Sequence, residues 1–286
     1  MTADRAFPRT VTIYGTGLIG CSFALALKQT IPGVRLYGID SAEILGRARA
    51  IGAIDEITEI GEVGETGPPG SGHAKASDLV VLSAPVGEIL KLTEELRPGS
   101  SVILDVGSTK VEICKRAEAR QLPFVGGHPM TGSERSGPEA ASAELFKGAR
   151  FFLCPISSTP TGAVAQLESL IRSIGAVPHV ISPENHDRLA AEISHLPQIL
   201  STVLADHTGN HREFAGPGLK SVTRLAASPF HVWRDILLTS GSLPAELKSY
   251  IQRLNDMLEA LERKDMQRLE SVFERANKSV FDGPHR

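Results

Sequence analysis

Residues 10–20 of this 286-residue chain read TVTIYGTGLIG, and this stretch determines the type of fold. The apolar run Thr10–Tyr14 predicts a β-strand, and the glycine-rich turn after it leads into a segment of helical period. In such a turn Gly15 permits the tight bend, Gly17 lets the backbone approach a pyrophosphate, and Gly20 lets the helix pack against the strand. The helix N-terminus then stabilises the anion. The stretch therefore predicts a dinucleotide-binding βαβ unit.

Asp40 indicates which dinucleotide the turn would bind. It closes the second predicted strand, twenty residues after Gly20. A carboxylate there can accept both ribose hydroxyls and repel a 2′-phosphate, so we expect NAD rather than NADP. The alternative is that Asp40 only caps a helix or is solvated. The predicted cofactor-binding residues are Gly15, Thr16, Gly17, Leu18, Ile19, Gly20, Asp40, Ser83, Ala84 and Pro85.

Strand-like and helix-like segments alternate through the first 182 residues. Apolar runs at 10–14, 35–40, 78–84, 101–105 and 124–126 are separated by segments of helical period such as 18–28 and 44–51. This alternation is typical of a parallel sheet wrapped by helices. Runs at 151–155 and 177–181 flank a helical stretch at 161–173 and extend the sheet. The Gly- and Pro-rich run 61–72 predicts an exposed loop.

The pattern changes at Ser182, where Ser-Pro-Glu provides an N-cap, a first-turn proline and an early acid. Helices are expected at about 183–209, 229–239, 243–262 and 265–279. The fold class is therefore α/β, with a Rossmann-type doubly wound sheet in residues 1–182 and an all-helical domain in 183–286. Long amphipathic helices need a partner surface, so we expect a homodimer through the C-terminal helices; packing within one chain is the alternative.

Composition excludes several classes of function. A net charge of −3 without a basic run gives no footprint for nucleic acid, so the expected partner is a small molecule. No window approaches eighteen uncharged apolar residues, so no membrane span is expected. The N-terminus lacks a secretory pattern, which favours a cytoplasmic location. The three cysteines are far apart, which argues against disulfides and against a metal site.

Five polar clusters carry a resemblance to a known family. They are DVGSTK at 105–110, GGHPMTGSE at 126–134, SHLP at 194–197, LKSVTRLAAS at 219–228 and WRDI at 233–236. Several follow predicted strand ends, where ligands bind in open α/β sheets. Together they resemble the prephenate/arogenate dehydrogenase family of tyrosine biosynthesis, from Val11 to about Ile236.

The resemblance implies a reaction and three principal residues. In that family the substrate is a cyclohexadienol with a ring carboxylate; hydride passes to NAD(P)⁺ while CO₂ departs and the ring becomes aromatic. His128 matches the catalytic histidine that accepts the hydroxyl proton, and imidazole suits this role near neutral pH. Ser108 matches a serine that hydrogen-bonds the same hydroxyl. Arg224 matches the arginine that holds the substrate carboxylate, from the helical half of a cleft between the domains.

The remaining substrate-binding residues rest on the same resemblance. Glu134 matches a gating or orienting carboxylate and Trp233 a wall of the pocket, while Pro197 is expected to kink the helix that carries His195. The predicted substrate-binding set is Arg224, Glu134, His195, Gln198, Ser221 and Trp233. Ser221 and Gln198 stand where the family often has an aspartate and a second histidine. The choice between prephenate and arogenate therefore stays open.

Two alternative functions are compatible with the dinucleotide fold. A β-hydroxyacid or pyrroline-carboxylate type of enzyme shares the sheet domain followed by helices. Such enzymes lack a GGHPM-type loop, and the β-hydroxyacid group needs a catalytic lysine on the first long C-terminal helix, whereas no lysine lies between Ser182 and Gly218. The other alternative is a catalytically silent dinucleotide-binding sensor. The presence of His128, Ser108 and Arg224 counts against it.

Overall fold

A computed structural model describes residues 7–58, 77–132 and 135–281, and eight strands in these ranges form one sheet. The strands run in the order β3-β2-β1-β4-β5-β6-β7-β8. Their bounds are β1 Thr10–Tyr14, β2 Arg35–Ile39, β3 Glu56–Ile57, β4 Leu79–Leu82, β5 Val102–Asp105, β6 Phe124–Pro129, β7 Arg150–Pro155 and β8 Val177–Val180. The order reverses between β1 and β4, as in a doubly wound fold.

Both faces of the sheet are buried under helices. In β4, Leu79 and Val81 join one apolar core, whereas Val80 and Leu82 join the other, because successive side chains of a strand point to opposite faces. The first core includes side chains of α1 Leu18–Thr30, α2 Ala42–Ala50 and α5 Ala163–Ser173; the second includes those of α3 Val86–Glu95 and α4 Val111–Ala119. Two-sided burial explains why these strands are continuous apolar runs.

The sheet differs from the expectation at three places. The short strand β3 pairs with β2 and was not predicted, since two exposed residues carry no periodicity. Strand β7 pairs antiparallel with β6, in a sheet that is otherwise parallel. Strand β6 continues through Gly127, His128 and Pro129, which were expected to form a loop. Residues of low β propensity extend there because β7 pairs with them, from Gly126 opposite Cys154 to Pro129 opposite Phe151.

The chain is mainly helical after Ser182. Ser182 Oγ accepts a hydrogen bond from the Asn185 amide at 3.2 Å, so the predicted N-cap is confirmed. The bounds are α6 Pro183–Ala190, a π-helical turn Ala191–His195, α7 Leu196–Thr208, α8 Pro217–Val222, α9 Phe230–Thr239, α10 Leu243–Glu262 and α11 Met266–Phe281; 3₁₀ turns cover Gly209–Phe214 and Arg224–Ala227. The π turn ends two residues before Pro197, where the proline ring blocks regular helical hydrogen bonding. Helix α8 and the turn after it were not predicted.

Residues Met1–Gly241 form one compact unit and Ser242–Arg286 a second. The predicted domain boundary at 182/183 therefore does not coincide with this division by contacts, and it stays a prediction. The expected loop at 61–72 lies outside the described residues. Within the described ranges, no helix combines the length and the hydropathy needed to cross a bilayer.

Two glycine-to-alanine substitutions should have opposite effects on stability. A Cβ at Gly20 would collide with the backbone carbonyl of Gly15, which cannot move without opening the turn. We expect Gly20→Ala to lower the free energy of unfolding by more than about 2 kcal/mol and to weaken NAD⁺ binding. Gly46 lies within α2 with open space around it, so Gly46→Ala should raise stability by up to about 1 kcal/mol. Thermal midpoints of the two variants would test this; equal midpoints would contradict it.

Candidate active site

A cleft of about 710 Å³ lies at the carboxyl ends of β1 and β4, where the strand order reverses. Ligands bind at this position in open α/β sheets. Six residues of the predicted cofactor-binding set line it, namely Gly15, Gly17, Asp40, Ser83, Ala84 and Pro85. The structure thus brings together the glycine turn after β1, the acid after β2 and the segment after β4.

The turn orients the Asp40 carboxylate at this cleft. Asp40 Oδ2 accepts a hydrogen bond from the Thr16 amide at 2.8 Å, and Oδ1 accepts one from the Ser41 amide at 2.7 Å. Thr16 itself is fully buried behind the cleft, and Gly20 packs beneath Gly15. These two residues, with Leu18 and Ile19, are therefore part of the framework and not of the lining.

The first cleft fits a dinucleotide in two respects. A Cβ at Gly17 would meet no atom within 4 Å, so the open space beside the backbone is available to a pyrophosphate. Ser83 Oγ is buried and has no hydrogen-bond partner among the described residues. A buried hydroxyl without a partner is costly, and a bound ligand would relieve that cost.

A second cleft, of about 470 Å³, contains most of the predicted catalytic and substrate-binding residues. Those that line it are Ser108, His128, His195, Gln198, Arg224 and Trp233. Ser221 is exposed on α8 and does not line the cleft, and Glu134 lies outside the described residues. The sheet and the helices that follow it both contribute to the walls.

His128 is buried near the end of β6, and its two ring nitrogens have different surroundings. Nδ1 lies 2.9 Å from Nε2 of His186, while Nε2 has no hydrogen-bond partner in the described part of the chain. Burial, together with the nearby His186 and Lys110, lowers the pKa of His128 well below its usual range. The ring is therefore neutral near pH 7 and can accept a proton.

His186 in turn contacts a buried carboxylate. Its Nδ1 lies 2.8 Å from Asp187 Oδ1. Asp187 also accepts the amides of Lys110 at 2.7 Å and Val111 at 3.0 Å, the first N–H groups of α4. Asp187 therefore caps α4, and Ser108 does not serve as that cap. The Ser108 hydroxyl is left at the cleft.

The strand that carries His128 is held by a buried ion pair. Lys110 Nζ contacts Asp105 Oδ2 and donates to the Gly127 carbonyl at 2.6 Å, and both charged side chains are fully buried. Asp105 Oδ1 accepts the Gly127 amide at 3.0 Å. The pair thus satisfies both backbone groups of the residue before His128.

His195 and Gln198 lie on the helical wall of the second cleft. His195 Nδ1 lies 2.8 Å from Ser240 Oγ, its Nε2 is buried without a partner in the described ranges, and its ring contacts Trp233 edge-on. Burial lowers the pKa of His195 to about 4. Gln198 Nε2 donates to the Leu225 carbonyl at 2.9 Å, which leaves its side-chain oxygen available to a ligand.

Arg224 is the cation of this cleft. It begins the 3₁₀ turn after α8, it is exposed, and its guanidinium has no ion pair or hydrogen bond among the described residues. An unpaired guanidinium can hold a carboxylate through two parallel hydrogen bonds.

The sequence reasoning missed the roles of four buried residues, Asp105, Lys110, His186 and Asp187. The first two were quoted within a polar cluster but were not assigned a role. Polar side chains at positions that the helical period assigns to the buried face of α6 could have indicated His186 and Asp187. The contacts of Asp187 with the start of α4 join residues 76 and 77 positions apart, and that of His186 with His128 joins residues 58 positions apart, which a periodicity does not reveal.

Family models match almost the whole chain. A model described as "Prephenate dehydrogenase, nucleotide-binding domain" matches residues 23–180, and one described as "Prephenate dehydrogenase, dimerization domain" matches residues 182–275.

Individual proteins are similar over nearly the full length. The chain is 36% identical to prephenate dehydrogenase of Bacillus subtilis, over 96% of this chain and 76% of that protein. It is 30% identical to cyclohexadienyl dehydrogenase of Zymomonas mobilis, over 94% of each. The crystal structure of prephenate dehydrogenase from A. aeolicus in complex with hydroxyphenyl propionate and NAD⁺ is similar with a TM-score of 0.84 and 27% identity, over 96% of this chain and 98% of that one.

The buried His195 should make the protein less stable in acid. In the unfolded chain its pKa is about 6.5, whereas burial lowers it to about 4 in the folded protein. The unfolded state therefore binds a proton first, and the free energy of unfolding falls as the pH drops from about 6.5 towards 4. Urea midpoints at several pH values should show a weaker decrease for His195→Gln than for the wild type. His207→Gln, which changes an exposed histidine, is the control and should keep the wild-type slope. A wild-type slope in His195→Gln would contradict the assignment.

Proposed function

The chain belongs to the prephenate dehydrogenase family, and from this premise we propose that it decarboxylates prephenate or arogenate oxidatively in the cleft that contains His128. It is an NAD-dependent dehydrogenase of tyrosine biosynthesis. The observation that supports the site is that His128 Nε2 and the Arg224 guanidinium, neither with a partner in the described residues, line the same cleft.

His128 acts as the base for the substrate hydroxyl. As hydride leaves the carbinol carbon, the hydroxyl proton passes to Nε2, the one ring nitrogen that has no protein partner among the described residues. Loss of CO₂ leaves its electron pair in the ring, which becomes aromatic, and the proton returns to the phenolate oxygen. Ser108 lies in the same cleft and donates a hydrogen bond to that oxygen.

The helical wall binds the rest of the substrate. Arg224 holds a substrate carboxylate in a bidentate pair. The buried Nε2 of His195, a donor or an acceptor according to its tautomer, and the side-chain oxygen of Gln198, an acceptor, face the side chain of the substrate. Prephenate has a keto group there and arogenate an ammonium group, so Gln198 contributes to the choice between them. Trp233 forms an apolar boundary of the cleft.

NAD⁺ supplies the hydride acceptor. In the first cleft, Gly15 and Gly17 admit the pyrophosphate and Asp40 accepts hydrogen bonds from the adenosine ribose. Because a 2′-phosphate would be repelled by the oriented Asp40 carboxylate, NAD⁺ is preferred over NADP⁺.

The assembly proposed is a homodimer through the C-terminal helices. Residues 182–275 match a dimerization-domain model. Helix α10 exposes an apolar stripe of Ile251, Leu254, Leu258 and Leu261, each about half accessible. A second copy would cover such a stripe. The domain boundary proposed is 182/183, within three residues of the point where the first family model ends, at 180, and the second begins, at 182. The cytoplasmic location stays a prediction of the sequence.

A four-way assay tests the function. Purified protein is incubated with prephenate or arogenate and with NAD⁺ or NADP⁺, and the absorbance of the reduced cofactor is followed. We expect turnover with NAD⁺ and at least one substrate. His128→Asn should lower kcat by at least about 100-fold and leave the Kd for NAD⁺ nearly unchanged. Absence of turnover in all four combinations would refute the proposal and favour a silent sensor or another hydroxyacid enzyme.

Replacement of Arg224 should weaken substrate binding selectively. Arg224→Lys keeps the charge but loses the planar fork, so we expect the KM for the cyclohexadienol substrate to rise about 10-fold, and further in Arg224→Ala. The KM for NAD⁺ should stay within about twofold. Arg172→Ala, which removes an exposed cation on α5 away from both clefts, is the control and should behave as the wild type. An unchanged substrate KM in Arg224→Ala would remove Arg224 from the site.

A further inference from the structure

We propose that His186 and Asp187 are positioning residues that hold His128 in the tautomer with the proton on Nδ1, so that its bare Nε2 faces the cleft. The contacts form a chain from Asp187 Oδ1 to His186 Nδ1 at 2.8 Å and from His186 Nε2 to His128 Nδ1 at 2.9 Å. This inference rests on the proposed role of His128 as the base.

Asp187 determines which atom donates in each hydrogen bond of this series. Its carboxylate accepts the backbone amides of Lys110 and Val111. Backbone amides only donate, so these contacts favour the ionised carboxylate, which only accepts. The His186 nitrogen that faces Asp187 must therefore carry the proton.

The burial of His186 determines the two remaining protonation states, that of its own Nε2 and that of His128 Nδ1. His186 is fully buried, and burial lowers its pKa, although the hydrogen bond to Asp187 opposes this. The ring is therefore neutral near pH 7, and with the proton on Nδ1 its Nε2 can only accept. His128 must then donate from Nδ1. A neutral His128 that donates from Nδ1 has an unprotonated Nε2, and only an unprotonated nitrogen can accept the proton of the substrate hydroxyl.

Burial and the nearby Lys110 lower the pKa of His128, so a proton on its ring needs a buried negative group to balance it. The charged groups buried around the two rings, among the described residues, are Asp105 at the end of β5, Lys110 before α4 and Asp187 on α6. Lys110 pairs with Asp105, whereas Asp187 forms no ion pair with a lysine or arginine among the described residues and contacts His186. When His128 accepts a proton, the positive charge on its ring is balanced by Asp187 through the polarised His186. His195, the other titratable group nearby, is neutral because burial lowers its pKa to about 4.

A pair of variants at His186 separates positioning from packing. Gln reaches about as far as His and its side-chain oxygen can accept the Nδ1 proton, whereas Leu has a similar size and no acceptor. We expect His186→Leu to lower kcat by about 100-fold, with the KM for NAD⁺ within about twofold of the wild type. His186→Gln should recover kcat to within about 10-fold of the wild type. The acid limb of kcat against pH should move to lower pH in His186→Leu, because an unpaired buried imidazolium is less stable.

Nuclear magnetic resonance of the free protein gives a readout that needs no turnover. In protein labelled with ¹⁵N-histidine, two-bond nitrogen–carbon-proton correlations distinguish the tautomers, and the signals of His128 are those lost in His128→Asn. We expect Nδ1–H for His128 in the wild type and in His186→Gln, and an increased Nε2–H fraction in His186→Leu.

Three results would overturn the inference. They are an Nε2–H tautomer of His128 in the wild type, a wild-type kcat in His186→Leu, or equal losses of kcat in both variants without movement of the acid limb. If His186→Leu does not fold, the tautomer in the wild type and in His186→Gln still decides. Absence of turnover in the wild type would refute the proposed function, whereas the tautomer is measured independently of it.

Discussion

The buried pair of Asp105 and Lys110 is the interaction on which the geometry of the second cleft depends. Strand β5 ends at Asp105, and its backbone pairs with β6 only at Phe124 and Val125. Beyond that point the two side chains replace the missing ladder, since Asp105 accepts the Gly127 amide and Lys110 donates to the Gly127 carbonyl. Loss of one member of a buried pair costs about 3–5 kcal/mol. The position of His128, one residue along, depends on the same bonds.

Asp187 connects this strand with the helices that follow the sheet. It satisfies the free amides at the start of α4, and through His186 it reaches His128. An unsatisfied helix start and an unoriented imidazole would each cost free energy, and one buried carboxylate prevents both. The same contacts of Asp187 therefore orient His128 and attach α6 to the start of α4.

The sequence predicts well where the signal is local. The turn at Gly15 and Gly20 and the cap at Ser182 depend on neighbouring residues, and they were predicted at the right positions. Strand β6 was predicted too short because the residues after Gly126 extend only through their pairing with β7. The bond between Lys110 and Asp187 joins residues 77 positions apart, and nothing in either segment indicates its partner. The candidate residues of the second cleft came from the family resemblance, whereas the contacts that orient them required the structure.

Helix α9 contacts the walls of both clefts. Hydride transfer requires that the distance between these clefts be held nearly constant. Asp235 Oδ2 accepts the Gly87 amide at 3.0 Å, at the start of α3 and beside the Pro85 wall of the first cleft. At the other end of the helix, Thr239 Oγ1 lies 2.7 Å from Thr109 Oγ1. Trp233, on the same helix, lines the second cleft. Reacting atoms must approach within about 3–3.5 Å, so a rigid element bound to both walls limits the error in their separation. These contacts, one from a backbone amide to the Asp235 carboxylate and one between two threonine hydroxyls, lie outside the residues proposed to react.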